Sequence, residues 1–201
     1  MKIFKVFSDN IDMRAITAAT EAMRDGQMVI YPTDTLYAIG CNALDNHAVE
    51  RLCRLKGIDP RKSELSIVCE SLSQAAEYTR IDNRAFRMLK ANLPGPFTFI
   101  LPASTALPKV FKGRRAVGIR IPDNKIAGAL VSALGNPIMT TSIEYDTPDE
   151  AVNPDEIALR YAAVTAVMID GGDGGIEPST VIDLNDSSCP ETVRHGAGEL
   201  R

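Results

Sequence analysis

Apolar residues recur at helical spacing in several stretches of the chain, and residues of the N-cap type begin several of these stretches. Asp12 opens the first predicted helix and Asn46 caps the second, while Gly26 and Gly57 follow their last turns. The predicted helices cover 12–25, 46–56 and about 124–134, with further helices starting at Ser71, Asp82 and Asn153.

Short apolar runs alternate with these helices and predict strands. The predicted strands are 27–31, 36–41, 65–69, 97–101, 117–121, 138–142, 164–170, 180–184 and 192–194. This alternation predicts an α/β fold, in which a twisted, mixed β-sheet is flanked by helices. We expect residues 1–201 to form a single domain, because the length suits one core.

Binding sites in sheets of this kind lie beyond the carboxyl ends of strands. The loops to examine are therefore those at 32–35, 57–64, 141–146 and 171–179.

The composition narrows the classes of function. The net charge of −4 argues against a general affinity for nucleic acid, because that affinity depends on neutralising phosphates. Local clusters of basic residues at 51–62 and 109–120 leave a smaller anion site open. No apolar run is long enough to cross a membrane, and the cysteines and histidines are not spaced as metal ligands. We therefore expect a cytoplasmic protein with buried thiols, no metal site and no membrane partner.

The common nucleotide and hydrolase motifs are missing from the sequence. It contains no Gly-x-x-x-x-Gly-Lys-Ser/Thr loop, no Gly-x-Gly-x-x-Gly fingerprint and no Gly-x-Ser-x-Gly elbow. A polar turn, Thr33-Asp34-Thr35, lies instead between two apolar strands. Such a turn either hydrogen-bonds a small polar ligand or satisfies its own backbone, and the sequence leaves both interpretations open.

Two cations stand at positions where an anion is expected. Lys56 ends a helix and precedes a basic loop with Arg61, so this region either binds phosphate or is a solvated run of charge. Arg120 lies inside a short apolar strand, where a buried guanidinium needs a ligand anion or a structural ion pair. Ser179 and Thr180 follow a glycine-rich loop and offer hydroxyls and backbone amides suited to an anion.

Several short segments occur in an order that is typical of one family. They are Tyr-Pro-Thr-Asp-Thr-Leu-Tyr-Ala-Ile-Gly (31–40), Lys56-Gly57, Leu-Pro-Gly-Pro-Phe-Thr-Phe-Ile-Leu (93–101), Gly-Ile-Arg-Ile-Pro (118–122), Thr-Thr-Ser (140–142), Pro-Ser-Thr-Val-Ile-Asp (178–183) and Arg194-His195-Gly196. Together they resemble the YrdC-like domain of threonylcarbamoyl-AMP synthases, over about residues 10–198. The chain is therefore similar to members of the YrdC/YciO family.

The resemblance implies a YrdC-like fold whose twisted sheet carries a basic, concave cleft. Family synthases join threonine, bicarbonate and ATP into threonylcarbamoyl-adenylate and release pyrophosphate, as a step toward a tRNA modification. The implied ligands are ATP or an adenylate, with Mg²⁺ accompanying ATP. Family members have also been regarded as double-stranded RNA binders, so a protein that binds structured or double-stranded RNA without catalysis is the alternative interpretation.

The matching positions imply roles for individual side chains. The residues implied to contact the nucleotide are Lys56, Ser142, Ser179 and Arg194. The residues implied to contact threonine are Thr33, Thr35, Arg120 and Thr180. Cations and amides at such positions stabilise the charge that adenylation builds on the α-phosphate.

Three departures separate this chain from the synthases and resemble the YciO branch of the family. Ile58 stands where the synthases carry an arginine, Glu144 where they carry an asparagine, and Cys69 where they carry a histidine. An aliphatic chain cannot neutralise phosphate, and a carboxylate repels it unless Mg²⁺ intervenes. We therefore expect weakened or altered activity, with Arg61 in the longer loop as the candidate replacement for the lost arginine.

Overall fold

The computed structural model describes residues 1–59, 65–107 and 115–201. The strands of this described part are β1 (Lys2–Lys5), β2 (Val29–Tyr31), β3 (Ala38–Asn42), β4 (Ser66–Val68), β5 (Phe97–Pro102), β6 (Ala116–Arg120), β7 (Ile138–Ser142), β8 (Val167–Asp170), β9 (Thr180–Asp183) and β10 (Glu191–Arg194). Its helices are α1 (Met13–Arg24), α2 (Asn46–Leu55), α3 (Leu72–Tyr78), α4 (Asn83–Asn92), α5 (Lys125–Leu134), α6 (Pro148–Val152) and α7 (Pro154–Tyr161).

One sheet joins all of the described strands, in the order β1-β8-β2-β3-β7-β4-β6-β5-β9-β10. The sheet is mixed, because β4 runs parallel to β6 and β5 parallel to β9, whereas β7 runs antiparallel to both β3 and β4. The predicted α/β fold, a mixed sheet with flanking helices, is confirmed.

One face of the sheet is covered by α2, α3, α4 and α7. Ile67 of β4 and Ile119 of β6 point into this core, where they meet Leu52 of α2 and Leu89 of α4. Since successive side chains of a strand point to opposite faces, this core takes every second residue of the central strands. The intervening residues of the same strands must therefore lie on the other face.

The other face is covered over only part of its width. Helices α1 and α5 pack there through residues such as Ile16 and Leu130, which join Val29, Tyr31 and Ile169 of the strands in a second core. Within the described ranges, β5, β6 and β9 contribute no residue to this second core. The face of these strands opposite α2 and α4 is therefore left open by the helices, and polar side chains stand on it.

At most positions, the N-cap residue in the structure is the one that the sequence predicted. The caps predicted at Asp12, Ser71, Asp82 and Asn153 are confirmed. The cap predicted at Asn46 is wrong, because Asp45 accepts hydrogen bonds from the amides of His47 and Ala48 at 2.9 and 3.1 Å. Asp and Asn are equally good N-cap residues, so two of them in succession do not fix the start of a helix.

Other differences concern short or exposed segments. Strand β1 and helix α6 were not predicted, because a four-residue edge strand and a five-residue helix carry little periodicity. Cys41 and Cys69 are buried as expected, and burial raises the pKa of both thiols, whereas Cys189 is exposed. Across the described ranges, no helix combines the length and the hydropathy that a membrane span needs.

Candidate functional site

The open part of the sheet forms a pocket of about 180 Å³. Strand register brings its residues into line, because Ser66 lies opposite both Gly118 and Thr140, and Val68 lies opposite Arg120. The described residues that line it are Ile58, Leu65, Ser66, Thr98, Ile100, Gly118, Arg120, Thr140, Thr141, Ser142, Ser179, Val181 and Arg194. The pocket thus lies on the face of the sheet, and not mainly in the loops beyond strand ends where the sequence analysis looked for it.

The structure brings several of the residues named from the sequence together. Those that line the pocket are Arg120, Ser142, Ser179 and Arg194. Lys56 joins them at the rim through a hydrogen bond to Ser142, and Thr35 contacts Arg120 from below. Thr33 supports Thr35, and Thr180 points elsewhere. The ligand-binding roles assigned to these residues stay predictions.

Arg120 is the buried charge of the pocket, with only 6% of its surface exposed. Its Nη2 donates to Asp34 Oδ1 at 3.0 Å and to Thr35 Oγ1 at 2.9 Å. Burial lowers the pKa of the guanidinium, and the Asp34 carboxylate opposes that shift. Among the described side chains, Arg120 Nε is the buried polar atom that lacks a hydrogen-bond partner. The residue therefore has a structural ion pair and one buried donor without a partner among the described residues.

The turn at Thr33–Thr35 holds the anion that pairs with Arg120. Thr33 Oγ1 accepts a hydrogen bond from the Thr35 amide at 3.1 Å and donates to the Leu36 carbonyl at 2.7 Å. The Thr33 hydroxyl thus satisfies the backbone of its own turn, as the second interpretation of this segment expected. Asp34 is held as well, since its Oδ2 accepts from the amide of Asp123 at 2.9 Å.

Arg194 and Ser179 form another wall of the pocket. The Arg194 guanidinium donates to the Ser179 carbonyl at 2.8 and 3.1 Å and to its hydroxyl at 3.2 Å. The same hydroxyl lies 2.8 Å from Thr98 Oγ1. No carboxylate of the described residues forms an ion pair with Arg194. Its charge is therefore available to an anionic ligand.

The Thr180 side chain makes hydrogen bonds that support the fold and does not line the pocket. Its hydroxyl accepts hydrogen bonds from the amides of Gly196 and Gly198, each at 3.0 Å, and donates to the Gly198 carbonyl at 2.7 Å. Its own amide donates to the Pro96 carbonyl at 3.0 Å. The anion-binding nest expected at Ser179–Thr180 therefore lacks the Thr180 amide, and Thr180 anchors the C-terminal segment.

At the rim, Lys56 is paired with the residue that departs from the synthase pattern. Lys56 Nζ lies 2.6 Å from Glu144 Oε1 and donates to the Ser142 carbonyl at 3.2 Å. The negative charge that Glu144 adds therefore neutralises the lysine. With Arg120 paired to Asp34 too, the basic character expected of the cleft stays a prediction.

The other two positions that depart from the synthase pattern, Ile58 and Cys69, lie in different places relative to the pocket. Ile58 lines the pocket, so an aliphatic side chain faces the space where the family resemblance implies an arginine. Arg61 lies outside the described residues, and its role as a replacement stays a prediction. Cys69 is buried and does not line the pocket in the described part of the chain.

A row of hydroxyls on the pocket floor was missed in the sequence analysis. Ser66, Thr98 and Thr140 line the pocket, and Thr140 Oγ1 accepts a hydrogen bond from the buried Tyr31 hydroxyl at 2.9 Å. The available signal was a polar residue at alternate positions of an otherwise apolar strand. Gly118 completes the floor, since a Cβ at this position would lie 2.5 Å from Ser66 Oγ.

With this geometry in place, the comparisons assign the family. The Sua5/YciO/YrdC family model, described as telomere recombination, matches residues 21–196. The uncharacterized YciO protein of Escherichia coli K12 is 38% identical over 100% of this chain and 98% of its own length. Its crystal structure has a TM-score of 0.91 and covers 99% of this chain. The chain belongs to the Sua5/YciO/YrdC family.

More distant relatives include proteins named threonylcarbamoyl-AMP synthase. The threonylcarbamoyl-AMP synthase of Halorhodospira halophila is 32% identical over 82% of this chain and 86% of that protein. The crystal structure of Pyrococcus abyssi Sua5 complexed with L-threonine has a TM-score of 0.87 and 31% identity, and covers 98% of this chain and 58% of that one. The family relationship to threonylcarbamoyl-AMP synthases is therefore shown at the level of sequence and of fold.

Proposed function

We propose that the pocket binds threonine and an adenine nucleotide, and that the chain forms threonylcarbamoyl-adenylate more slowly than the synthases of its family. The observation that carries this proposal is Arg120, whose buried Nε lacks a partner among the described residues while the side chain lines the pocket. A carboxylate satisfies such a donor with a charge-assisted hydrogen bond. Support comes from the relative solved with L-threonine and from the related synthases.

The rest of the site suits the chemistry of adenylation. In the proposed reaction, a carbamate oxygen of N-carboxy-threonine bonds to the α-phosphorus of ATP, the bond from that phosphorus to the bridging oxygen breaks, and pyrophosphate leaves. Negative charge accumulates on the phosphoryl oxygens, where fixed cations are most effective. Arg194 and Lys56 are the cations that would meet this charge, and Ser142 and Ser179 offer hydroxyls beside them.

Mg²⁺ is proposed to accompany ATP. In the described part of the chain, no group of three or more His, Cys, Asp or Glu side chains is placed to hold a metal ion. That fits an ion coordinated mainly by phosphate oxygens and water, which is how Mg²⁺ usually binds at nucleotide sites. Such an ion would weaken the repulsion between the ATP phosphates and the carboxylate of Glu144 at the pocket rim.

Two features are expected to lower the activity. Ile58 provides no charge, and Glu144 occupies Lys56. A lost charge-assisted contact to a charged ligand is worth about 1.5–3 kcal/mol, so each change corresponds to about a tenfold to hundredfold loss.

The proposal is tested by incubating the protein with ATP, Mg²⁺, threonine and bicarbonate, and by following pyrophosphate and adenylate products. We expect slow, threonine-dependent product formation that an Arg120→Met/Asp34→Asn variant lacks, the second change being made to limit the loss of stability. Reactions without threonine are the matched control. Failure of calorimetry to detect binding of either threonine or ATP would contradict the proposal.

A separate surface favours a second candidate, the binding of structured RNA. Helix α4 exposes Arg84, Arg87 and Lys90 beside Phe86, which is 44% exposed. None of these cations forms an ion pair with a described carboxylate. Basic side chains along one helix suit phosphate contacts. Replacing all three by glutamine should then lower RNA affinity without changing adenylate formation, and unchanged affinity would reject this candidate.

A further inference from the structure

A phosphate that enters the pocket would meet Lys56 at the rim, and the positive charge of Lys56 is already compensated by a carboxylate. Lys56 Nζ contacts Glu144 Oε1 at 2.6 Å and the Ser142 carbonyl at 3.2 Å, and the Lys56 side chain is only 12% exposed. A phosphate can use this amine only by sharing it with the Glu144 carboxylate or by displacing that carboxylate. Sharing keeps a negative charge next to the ligand, and displacement breaks the Lys56–Glu144 contact.

Glu144 is held at the rim by its backbone. Its amide donates to the Tyr161 hydroxyl at 2.7 Å, and that hydroxyl returns a 3.3 Å hydrogen bond to the Glu144 carbonyl. The preceding amide, of Ile143, donates to the Tyr37 carbonyl at 3.1 Å. These bonds fix the backbone of Glu144, while its side chain is 59% exposed and can rotate, so the carboxylate stays within one side-chain length of the rim.

The charges of the described residues around the pocket are nearly balanced. Arg120 pairs with Asp34 and Lys56 pairs with Glu144, which leaves Arg194 as the pocket cation without a described carboxylate partner. One phosphate can be met by Arg194. Each additional phosphate brings charge toward Glu144, and Ile58 offers nothing to compensate it.

We infer that Glu144 is a specificity-determining residue, which makes the pocket favour nucleotides with a single phosphate, such as AMP or an acyl-adenylate, over nucleoside triphosphates. The inference rests on the proposed nucleotide site and names the ligand class of that site. It also gives a reason for the slow adenylation proposed above, because the substrate ATP would then be bound less well than the adenylate product.

The test compares ATP with AMP on the parent protein and on Glu144→Gln, by titration calorimetry without Mg²⁺, because Mg²⁺ would relieve the repulsion by Glu144 that the test measures. Glutamine keeps the length of the side chain and removes its charge. We expect the parent to bind AMP at least as tightly as ATP. We expect Glu144→Gln to gain about tenfold in ATP affinity and to change much less in AMP affinity, with Glu144→Ala shifting the preference in the same direction.

Glu150→Gln is the matched control. Glu150 pairs with Arg160 at 3.0 Å and does not line the described part of the pocket, so this variant removes the same charge elsewhere. It should leave both affinities within about twofold of the parent. The specificity role is overturned, with the nucleotide site intact, if the parent prefers ATP or if Glu144→Gln changes both affinities equally. If neither parent nor variants bind any nucleotide, the proposed function fails as well.

Discussion

Two ion pairs serve the same pocket but lie in different surroundings. In the Arg120–Asp34 pair, the side chains are 7% and 9% exposed, whereas in the Lys56–Glu144 pair the lysine is 12% exposed and the carboxylate 59% exposed. Breaking a buried pair leaves one charge without water or partner, which strongly destabilises a protein, while exposed pairs contribute about 0–1 kcal/mol. The comparison indicates that the first pair is part of the fold and the second is mainly a feature of the binding site.

The two pairs also differ in what they leave for a ligand. Arg120 keeps an unpaired Nε among the described residues, although its Nη2 is engaged by Asp34 and Thr35. Lys56 has a single amine, and Glu144 and the Ser142 carbonyl both use it. A guanidinium can therefore hold a structural carboxylate and a ligand at the same time, while an ammonium must share one nitrogen between them.

The largest effect is expected from Arg120→Met. Removing the guanidinium leaves the Asp34 carboxylate buried without its cation, so the free energy of unfolding should fall by about 3–5 kcal/mol. Urea denaturation measures this change. The double variant Arg120→Met/Asp34→Asn should recover part of the loss, because the uncompensated charge is gone. A loss below about 1 kcal/mol in the single variant would show that this pair behaves like a surface pair.

Gly118→Ala, on the pocket floor between the two ion pairs, should lower the free energy of unfolding by a smaller amount. The new Cβ would lie 2.5 Å from Ser66 Oγ and 3.0 Å from Thr98 Cγ2, so overpacking should destabilise the protein by about 1–3 kcal/mol. Threonine binding should weaken too, since the methyl group enters the pocket. Gly128→Ala is the control, because a Cβ there meets nothing within 4 Å and helix α5 should be stabilised by about 0.5–1 kcal/mol. Equal effects of both variants would rule out a steric role for Gly118.

The hydrogen bond that the Tyr31 hydroxyl donates below the pocket should stabilise the protein by about 0.5–1.5 kcal/mol at pH 7. Tyr31→Phe should lose this stability, and the size of the loss should depend on pH. Burial raises the pKa of the Tyr31 phenol to about 12, whereas in the unfolded chain it titrates near 10. Above pH 10 the phenol ionises more readily in the unfolded chain than in the folded parent protein. The stability that the folded parent draws from the neutral phenol is therefore lost progressively as the pH rises through about 12. Phenylalanine has no such ionisation, so the gap between parent and variant should shrink at pH 11. A gap of equal size at pH 7 and pH 11 would contradict this account.

Local signals in the sequence were sufficient for most of the fold. Caps such as Asp12 and Asp82 mark helix starts, and short apolar runs mark the central strands. Strand order could not be derived in the same way, because β4 pairs with β7 and β6, and β7 joins the sheet from a distant part of the chain. The family resemblance, not periodicity, supplied the expectation of a common cleft.

Site residues were predictable where a polar side chain interrupts an apolar strand, as at Arg120. Ser179 and Thr180 show the limit, because neighbouring residues where a strand begins point in different directions and, of the two, only Ser179 lines the pocket. The pairing of Lys56 with Glu144 could not be predicted, since it depends on where β7 ends relative to α2. Glu144 was recognised as a departure, but its partner emerges only in three dimensions.

The smallest effect on stability is expected from Lys56→Met, and it decides whether the two pairs really differ. Methionine keeps most of the buried length of the lysine side chain, and the Glu144 carboxylate that remains is half exposed and can be hydrated. The free energy of unfolding should therefore change by less than about 1 kcal/mol, well below the change in Arg120→Met. Urea denaturation of both variants under the same conditions gives the ratio directly. A comparable loss in Lys56→Met would mean that the rim pair also supports the fold, and the distinction between a structural pair and a ligand-selecting pair would have to be given up.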